Sequence, residues 1–275
     1  MNHLHRELAP ISDAAWGEIE NEAKRTLTAT LAARKIVDFV GPKGLGKSAV
    51  RTGRRQPISS GGEKGVEASL RELQPLLEIR VPFELDRAEL DAIDRGAKDA
   101  DVDPVVEAAQ RAARFEDRAV FHGHAAALIR GLCEAAGDPI TLTENYEDYP
   151  LAVARAVTRL RSAGVDGPYA IALGRQCYTG ITETTKGGYP VIQHVKRLLD
   201  GPLVFAPAVD GAAVVAMRGD DFELTVGQDL SIGYLEHDRE KVRLYFQESF
   251  TFRVLTPHAA VALVYAKKSE AKRRG

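Results

Sequence analysis

The sequence predicts an α+β subunit, with one long sheet joining distant parts of the chain and a compact mixed α/β insertion late in it. The first observation is a strict alternation. Val242, Leu244, Phe246, Phe250, Phe252 and Val254 fall on one face, and Arg243, Tyr245, Gln247, Ser249, Thr251 and Arg253 on the other, the period-2 pattern of a strand apolar on one side. Glu248 breaks the apolar row. At roughly 3.3 Å per residue the run spans about 40 Å, beyond the usual limit of ~10 residues. The second is that Phe222, Leu224 and Val226 alternate just upstream, and Leu77, Ile79, Val81, Phe83 and Leu85 do so far away; these runs are expected to share one sheet. Third, after Pro139 helical and strand patterns alternate, which predicts a mixed α/β unit over residues 135–220.

From the N-terminus, Ser12 is a helix N-cap, with Ile11 before it and Trp16 inside the helix placed as a hydrophobic staple. Trp16, Ile19, Ala23, Leu27 and Leu31 recur at helical spacing, and the helix is expected to end near Arg34 and Lys35. Ile36–Val40 reads as a short strand closed by the Gly41-Pro42 turn. Residues 41–75 are rich in Gly, Pro and Ser; between Lys43 and Lys64 the bases Lys43, Lys47, Arg51, Arg54, Arg55 and Lys64 meet one acid, Glu63. Such a segment predicts a projecting loop with a job of its own. Asp103, as N-cap, and Pro104 open a long spine helix to about Phe121. The later unit is expected to hold a Pro150–Ala163 helix stopped by Gly164, a Tyr169–Leu173 strand, a Pro190–Leu199 helix stopped by Gly201, and strands near Leu203 and Val214. Residues 267–275 form a basic, solvated tail.

A chain of 275 residues can bury a sizeable core, and a net charge of −2 argues against a nucleic-acid partner held by bulk charge. Cys133 and Cys177 stand far apart without CxxC spacing, which fits a reducing compartment, with the cytoplasm as default. The opening residues MNHLHRELAPISDAAW show no apolar core of a secretion signal, and no apolar run reaches membrane length. No membrane partner is expected.

Gly41-Pro42-Lys43-Gly44-Leu45-Gly46-Lys47-Ser48 satisfies the phosphate-loop pattern. That pattern works when a helix follows, so that its N-terminus and backbone N–H groups hold phosphate. Here Ala49 to Pro57, two Ser and two Gly follow without helical period, so no nucleotide site is expected, and the overlapping Gly44-x-Gly46-x-x-Ala49 match fails likewise. Asp99, Asp101 and Asp103 imitate a calcium loop, but Pro104 and Gln110 stand where Gly and Glu are needed; helix-entry acids explain them better. His122 and His124 lack companion ligands and read as surface or interface residues. Glu116 and Asp117 are adjacent, hence about 100° apart on a helix, and cannot face each other as an acid/base pair. No catalytic set, metal site or cofactor site is expected, which favours a structural or binding role.

Taken together, several segments resemble the encapsulin shell proteins, the linocin-type bacteriocin family: LAPISDAAW at 8–16, ARKIVDFVGPKG at 33–44, LDAIDRGAKDAD at 90–101, FEDRAVFHG at 115–123, GVDGPYAIAL at 164–173, GYP at 188–190 and VGQDLSIGYLEHDREKVRLYFQESFTFRV at 226–254. The resemblance implies a Hong Kong-type tailed-phage major capsid fold. In that frame residues 1–40 are a cargo-facing helix and strand, 41–75 an extended loop reaching onto neighbours, 76–134 and 222–266 a peripheral domain, and 135–221 an axial domain. It also implies a GP-x-G turn leading into the extended loop, from which Lys47-Ser48 departs.

The same resemblance implies a self-assembling, non-enzymatic icosahedral shell in the cytoplasm. Such a shell packages a cargo enzyme through the cargo's C-terminal peptide, a dye-decolorising peroxidase in preference to a ferritin-like protein, in oxidative-stress defence or iron storage. The implied docking residues are Leu31, Arg34, Ile36, Asp38, Asp229, Leu230, Ser231 and Ile232; Leu31, Ile36 and Leu230 also read as plain core residues. Thr184, Thr185, Lys186, Gly187, Gly188 and Tyr189 match the loop ringing the five-fold pore, where Lys186 would make the ring positive. Some shells of this kind hold a flavin against an aromatic near the position of Ala88; Ala offers no stacking face, so no flavin is expected. A phage major capsid protein is the alternative, and a nucleotide-binding enzyme using Lys47 a third. The match at 8–38 separates the first two, because phage subunits generally begin with scaffold or arm sequences.

Overall fold

The alternating runs do meet in one sheet. In the computed structural model, which describes residues 3–60, 62 and 64–266, the elements in chain order are α1 (Asp13–Thr30), β1 (Asp38–Val40), β2 (Ala49–Ile58), β3 (Ala68–Pro75), β4 (Leu77–Asp86), α2 (Arg87–Asp94), α3 (Asp103–His122), α4 (Leu132–Ala135), β5 (Ile140–Leu142), α5 (Tyr149–Ser162), β6 (Tyr169–Leu173), α6 (Arg175–Glu183), β7 (Thr185–Lys186), β8 (Tyr189–Pro190), α7 (Val191–Lys196), β9 (Leu203–Phe205), β10 (Ala212–Ala216), β11 (Phe222–Val226), β12 (Ser231–His237), β13 (Lys241–Val254) and β14 (Ala260–Tyr265). The basic tail at 267–275 lies outside the described residues.

β13 is the organising strand. β4 runs antiparallel to it from Leu77↔Phe250 to Asp86↔Lys241, while β11 and β12 pair with it antiparallel over residues 250–254 and 242–247; β1 joins β11 in parallel. Two cores share this strand. Val242, Leu244 and Phe246 pack with Trp16, Ile19, Phe83, Leu85, Val105 and the alanines of α3; Phe250 and Phe252 pack with Phe222, Leu224 and the second sheet. Glu248, the break in the apolar row, sits between the two sets and is fully buried.

The second sheet has the order β5-β14-β10-β6-β9. β10 is antiparallel to both β14 and β6, whereas β14 with β5 and β6 with β9 are parallel. β14, at the end of the 222–266 stretch, belongs to this second sheet. β14 pairs inside the second sheet, because a strand as apolar as Ala260-Val261-Ala262-Leu263 must be covered on both faces, and the sheet supplies that.

Several boundaries also shift. α1 ends at Thr30, and Ala33–Lys35 forms a separate 3-10 turn that Ile36 closes, so the following strand is Asp38–Val40 rather than Ile36–Val40. Asp103 is the first residue of α3 rather than its cap; its N–H donates to the Asp101 carboxylate at 3.0 Å. The helix after Pro190 closes at Lys196, short of Leu199. Residues 41–75 are no plain loop: β2 and β3 form an antiparallel ribbon. A ribbon with no buried face has no apolar alternation to betray it.

The phosphate-loop match leads into β2, not into a helix. The N–H groups of Lys43 and Gly44 donate to the Val226 and Gly227 carbonyls at 3.0 and 2.8 Å. Those donors are spent on joining the turn to the end of β11.

Candidate functional site

The match between β11–β12 and β13 slips at Tyr234–Glu236 within β12 and, more widely, where β11 passes into β12. From Val226↔Phe250 to Ser231↔Gln247 one strand advances five residues and the other three, so residues 227–230 bulge out of the sheet. The bulge is pinned at Ser249. The Gly227 N–H donates to the Ser249 carbonyl at 2.7 Å, the Ser249 N–H to the Gln228 carbonyl at 2.9 Å, and the Gln228 N–H to the Ser249 hydroxyl at 2.9 Å. Asp229 then holds its own exit, accepting from the Leu230 N–H at 2.9 Å and, through its carbonyl, from the Ser231 hydroxyl at 2.6 Å.

Between this bulge and α1 lies a groove of about 590 Å³. Ala23, Leu27 and Leu31 form one wall, Leu230 and Ile232 the other, with Phe246 at the floor and Arg34, Lys35 and Asp229 among its polar groups. The apolar stripe of α1 reaches it because the helix stops at Thr30 and Leu31 turns extended, pointing the chain across the sheet.

Under the groove the Arg34 guanidinium gathers three carboxylates from three distant elements. It donates to Glu116 of α3 at 2.5–3.0 Å, to Glu248 of β13 at 2.6 Å and to Asp229 of the bulge at 2.9 Å, and it lies 5.0 Å from the centre of the Phe39 ring. The side chains of Glu116 and Glu248 are wholly buried. Asp117, next along α3, accepts from the N–H of Ala32 at 3.0 and 3.1 Å and of Ala33 at 2.8 Å. The angular offset that rules out Glu116 and Asp117 as a facing pair is what lets one grip the arginine while the other caps the turn bearing it.

One buried cation cannot neutralise that many acids. Burial first, then the charge of Glu116, pushes the Glu248 carboxyl well above the usual range despite Arg34. Burial also outweighs the two backbone donors at Asp117 and raises it to about 7. Burial alone would lower the Arg34 pKa, yet Glu116, Glu248 and Asp229 together hold it raised, so the guanidinium stays charged.

The native state thus keeps a proton at Asp117 that the unfolded chain gives up above its ordinary value of 3.8. The stability this lends is present below that value and is lost as pH rises through about 7. Thermal melting followed across this window should show a falling midpoint, and Asp117→Asn should flatten the slope even though it lowers the midpoint. An unchanged slope in Asp117→Asn would assign the pH dependence to another group.

The structure brings Leu31, Arg34, Asp229, Leu230, Ser231 and Ile232 together around the groove. Ile36 and Asp38 do not line it. Ile36 is 2% exposed within the larger core, and Asp38 accepts from the Asp220 N–H at 2.7 Å. Both follow the 3-10 turn, which carries the chain past the groove and into β1. Glu116, Asp117 and Glu248, which the sequence singles out without a role in the site, are the acids gathered under the groove.

The segment 184–189 forms the β7–β8 hairpin, with Gly187 and Gly188 both at positive φ, 60° and 78°, as a two-residue turn of the primed type requires. Lys186 donates to the Glu147 carbonyl at 3.0 Å. Tyr189 meets Arg197 over its ring at 5.1 Å and the edge of His194 at 5.1 Å.

Residues 1–251 match the linocin M18 family model, described as an encapsulating protein for peroxidase. Over 270 residues the chain is 56% identical to a type 1 encapsulin shell protein of Rhodospirillum rubrum, covering 96% of both chains. The chain belongs to the encapsulin shell-protein family. A second shell protein of this type, from Rhodococcus erythropolis, is 48% identical over 264 residues, covering 96% of this chain and all of that one. Among solved structures, a virus-like particle from Pyrococcus furiosus superposes with a TM-score of 0.61 at 16% identity, covering 89% of this chain and 97% of that one, which shows a shared capsid-like fold. In this encapsulin-family chain no group of three or more His, Cys, Asp or Glu is placed to hold a metal among the described residues.

Proposed function

We propose that this chain is the self-assembling shell subunit of a cytoplasmic encapsulin compartment, and that the groove between α1 and the Asp229–Ile232 bulge receives the C-terminal peptide of a cargo enzyme. The observation behind this reading is the groove itself: a channel with apolar walls and a charged base, built on a rigid ion cluster. The family's description as encapsulating a peroxidase supports a dye-decolorising peroxidase over a ferritin-like protein as cargo. The β7–β8 hairpin is the proposed five-fold pore loop. Lys186 donates to the Glu147 carbonyl, a neutral partner that positions the ammonium and leaves its charge, so the ring it would make is positive.

A cargo tail inserting two or three apolar side chains gains about 1.5–3 kcal/mol for each one fully buried, offset by ordering a flexible peptide. Single docking events are therefore weak, and loading depends on oligomeric cargo presenting several tails to a lattice of sites. Leu230 is half-buried on the groove wall, so Leu230→Asp places an unpaired charge where the tail must lie. Cargo co-purification should collapse while particles persist; intact Leu230→Asp particles that load peroxidase like the parent would put the docking site elsewhere. At 29.9 kDa per chain, a minimum of about sixty copies gives a particle of roughly 1.8 MDa. A stable monomer or dimer under native conditions would sink the shell reading.

A further inference from the structure

The residues ahead of α1 fold back onto the first sheet and close one end of the groove. β12 is the outer strand beside β13, and the Tyr234 N–H on its free edge donates to the Leu4 carbonyl at 2.8 Å. Backbone groups alternate sides along an antiparallel strand, so the same edge continues at Ile232, on the groove wall. Leu4 is 8% exposed and lines the groove with Ala23, Leu27 and Ile232. It stands on the edge and among the apolar walls that a docking tail would use.

The rest of this segment is lightly held. His3 donates through Nε2 to the Gln228 side-chain oxygen at 2.8 Å. Arg6 pairs with Glu20 at the surface, the two side chains being 30% and 51% exposed, an arrangement that adds little stability; its guanidinium lies 4.1 Å from the centre of the Trp16 ring. Between them His5 sits at φ 51°, a left-handed conformation unfavourable for a residue with a Cβ. Ser12, not this segment, caps α1 through the Ala15 N–H. Residues 3–5 can therefore leave while the helix stays.

We propose that residues 3–5 are a strap: Leu4 fills one end of the groove in the empty shell, and a cargo tail displaces it on docking. The strap covers a strand edge that otherwise invites pairing with stray chains. It also sets a threshold, since a groove open for only a fraction of the time binds more weakly in proportion to that fraction. This rests on the reading of the groove as the cargo site and adds how that site selects.

The test separates a displaceable strap from a fixed wall. Shells are disassembled and reassembled with increasing amounts of a dye-decolorising peroxidase carrying its C-terminal tail, and the cargo-to-shell ratio on denaturing gels reads loading. Leu4→Gly, and separately a chain lacking residues 2–5, should reach half-loading at a concentration on the order of ten-fold below that of the parent. In a Leu4→Cys shell, labelling of the new thiol by N-ethylmaleimide, located by mass spectrometry, should be slow when the shell is empty and faster once it is loaded. An unchanged or higher half-loading concentration in either variant, or labelling that loading slows, overturns the strap and makes Leu4 part of the wall. A parent shell that takes up the tailed peroxidase no better than the same enzyme without its tail overturns the cargo reading, and the strap's role with it.

Discussion

Arg34→Ala is expected to destabilise the subunit by about 3–5 kcal/mol, because it strands buried carboxylates without their cation. Glu116 and Glu248 have no exposure to water, and Asp229 loses its ion pair with the guanidinium that also holds α3 and β13. The loss should depend on pH in a defined direction. Glu248 already resists ionisation, pushed up by burial and by Glu116; towards acid it carries its proton and needs the arginine less, so the variant should come closer to the parent at pH 5 and fall furthest below it at pH 8. Arg34→Ala combined with Glu248→Gln should regain part of the loss, since one stranded charge is removed. Thermal melting and soluble yield at both pH values measure this. An equal deficit at pH 5 and pH 8 would mean that packing of the guanidinium on Phe39, and not its charge, holds the site together.

The arginine cluster also shows how far the residues alone can be read. Glu248 is visible as the single polar break in a long apolar row, and such a break in a buried strand signals a partner. Its partner is invisible, because Arg34 stands 214 residues away and nothing local records the fold that brings them together. Glu116 and Asp117 are readable as adjacent acids about 100° apart that cannot share one task, but nothing local shows that they serve two, one on Arg34 and one on the Ala32 and Ala33 N–H groups. The long sheet was legible because one-sided burial writes a period-2 pattern. The β2–β3 ribbon was not, having no buried side, and nothing in the all-apolar run Ala260-Val261-Ala262-Leu263 says which sheet it joins, since such a strand fits wherever two covering layers exist. Ile36 and Asp38 were placed in the groove by similarity, but the 3-10 turn at Ala33–Lys35 rotates the chain away after Arg34.

Phe246→Ala is the second large effect, again about 3–5 kcal/mol from lost burial and the cavity left behind. Phe246 is 1% exposed, faces the Phe83 ring at 5.3 Å and forms the groove floor; Ile232 and Val81 flank it across the sheet. Because β13 passes through two cores, the position of a deletion along it should decide where the structure loosens. Phe246 belongs to the core under α1 and α3, so its loss should raise amide exchange in α1 and β12 and weaken peptide docking together. Phe252, six residues on, lies in the other core. Phe252→Ala should cost about as much, yet open β11 and the second sheet while leaving the groove's peptide affinity near that of the parent. Hydrogen exchange on the two variants separates these outcomes. If both loosen the same amides to the same degree, the cores melt as one unit, and β13 transmits the damage rather than dividing it.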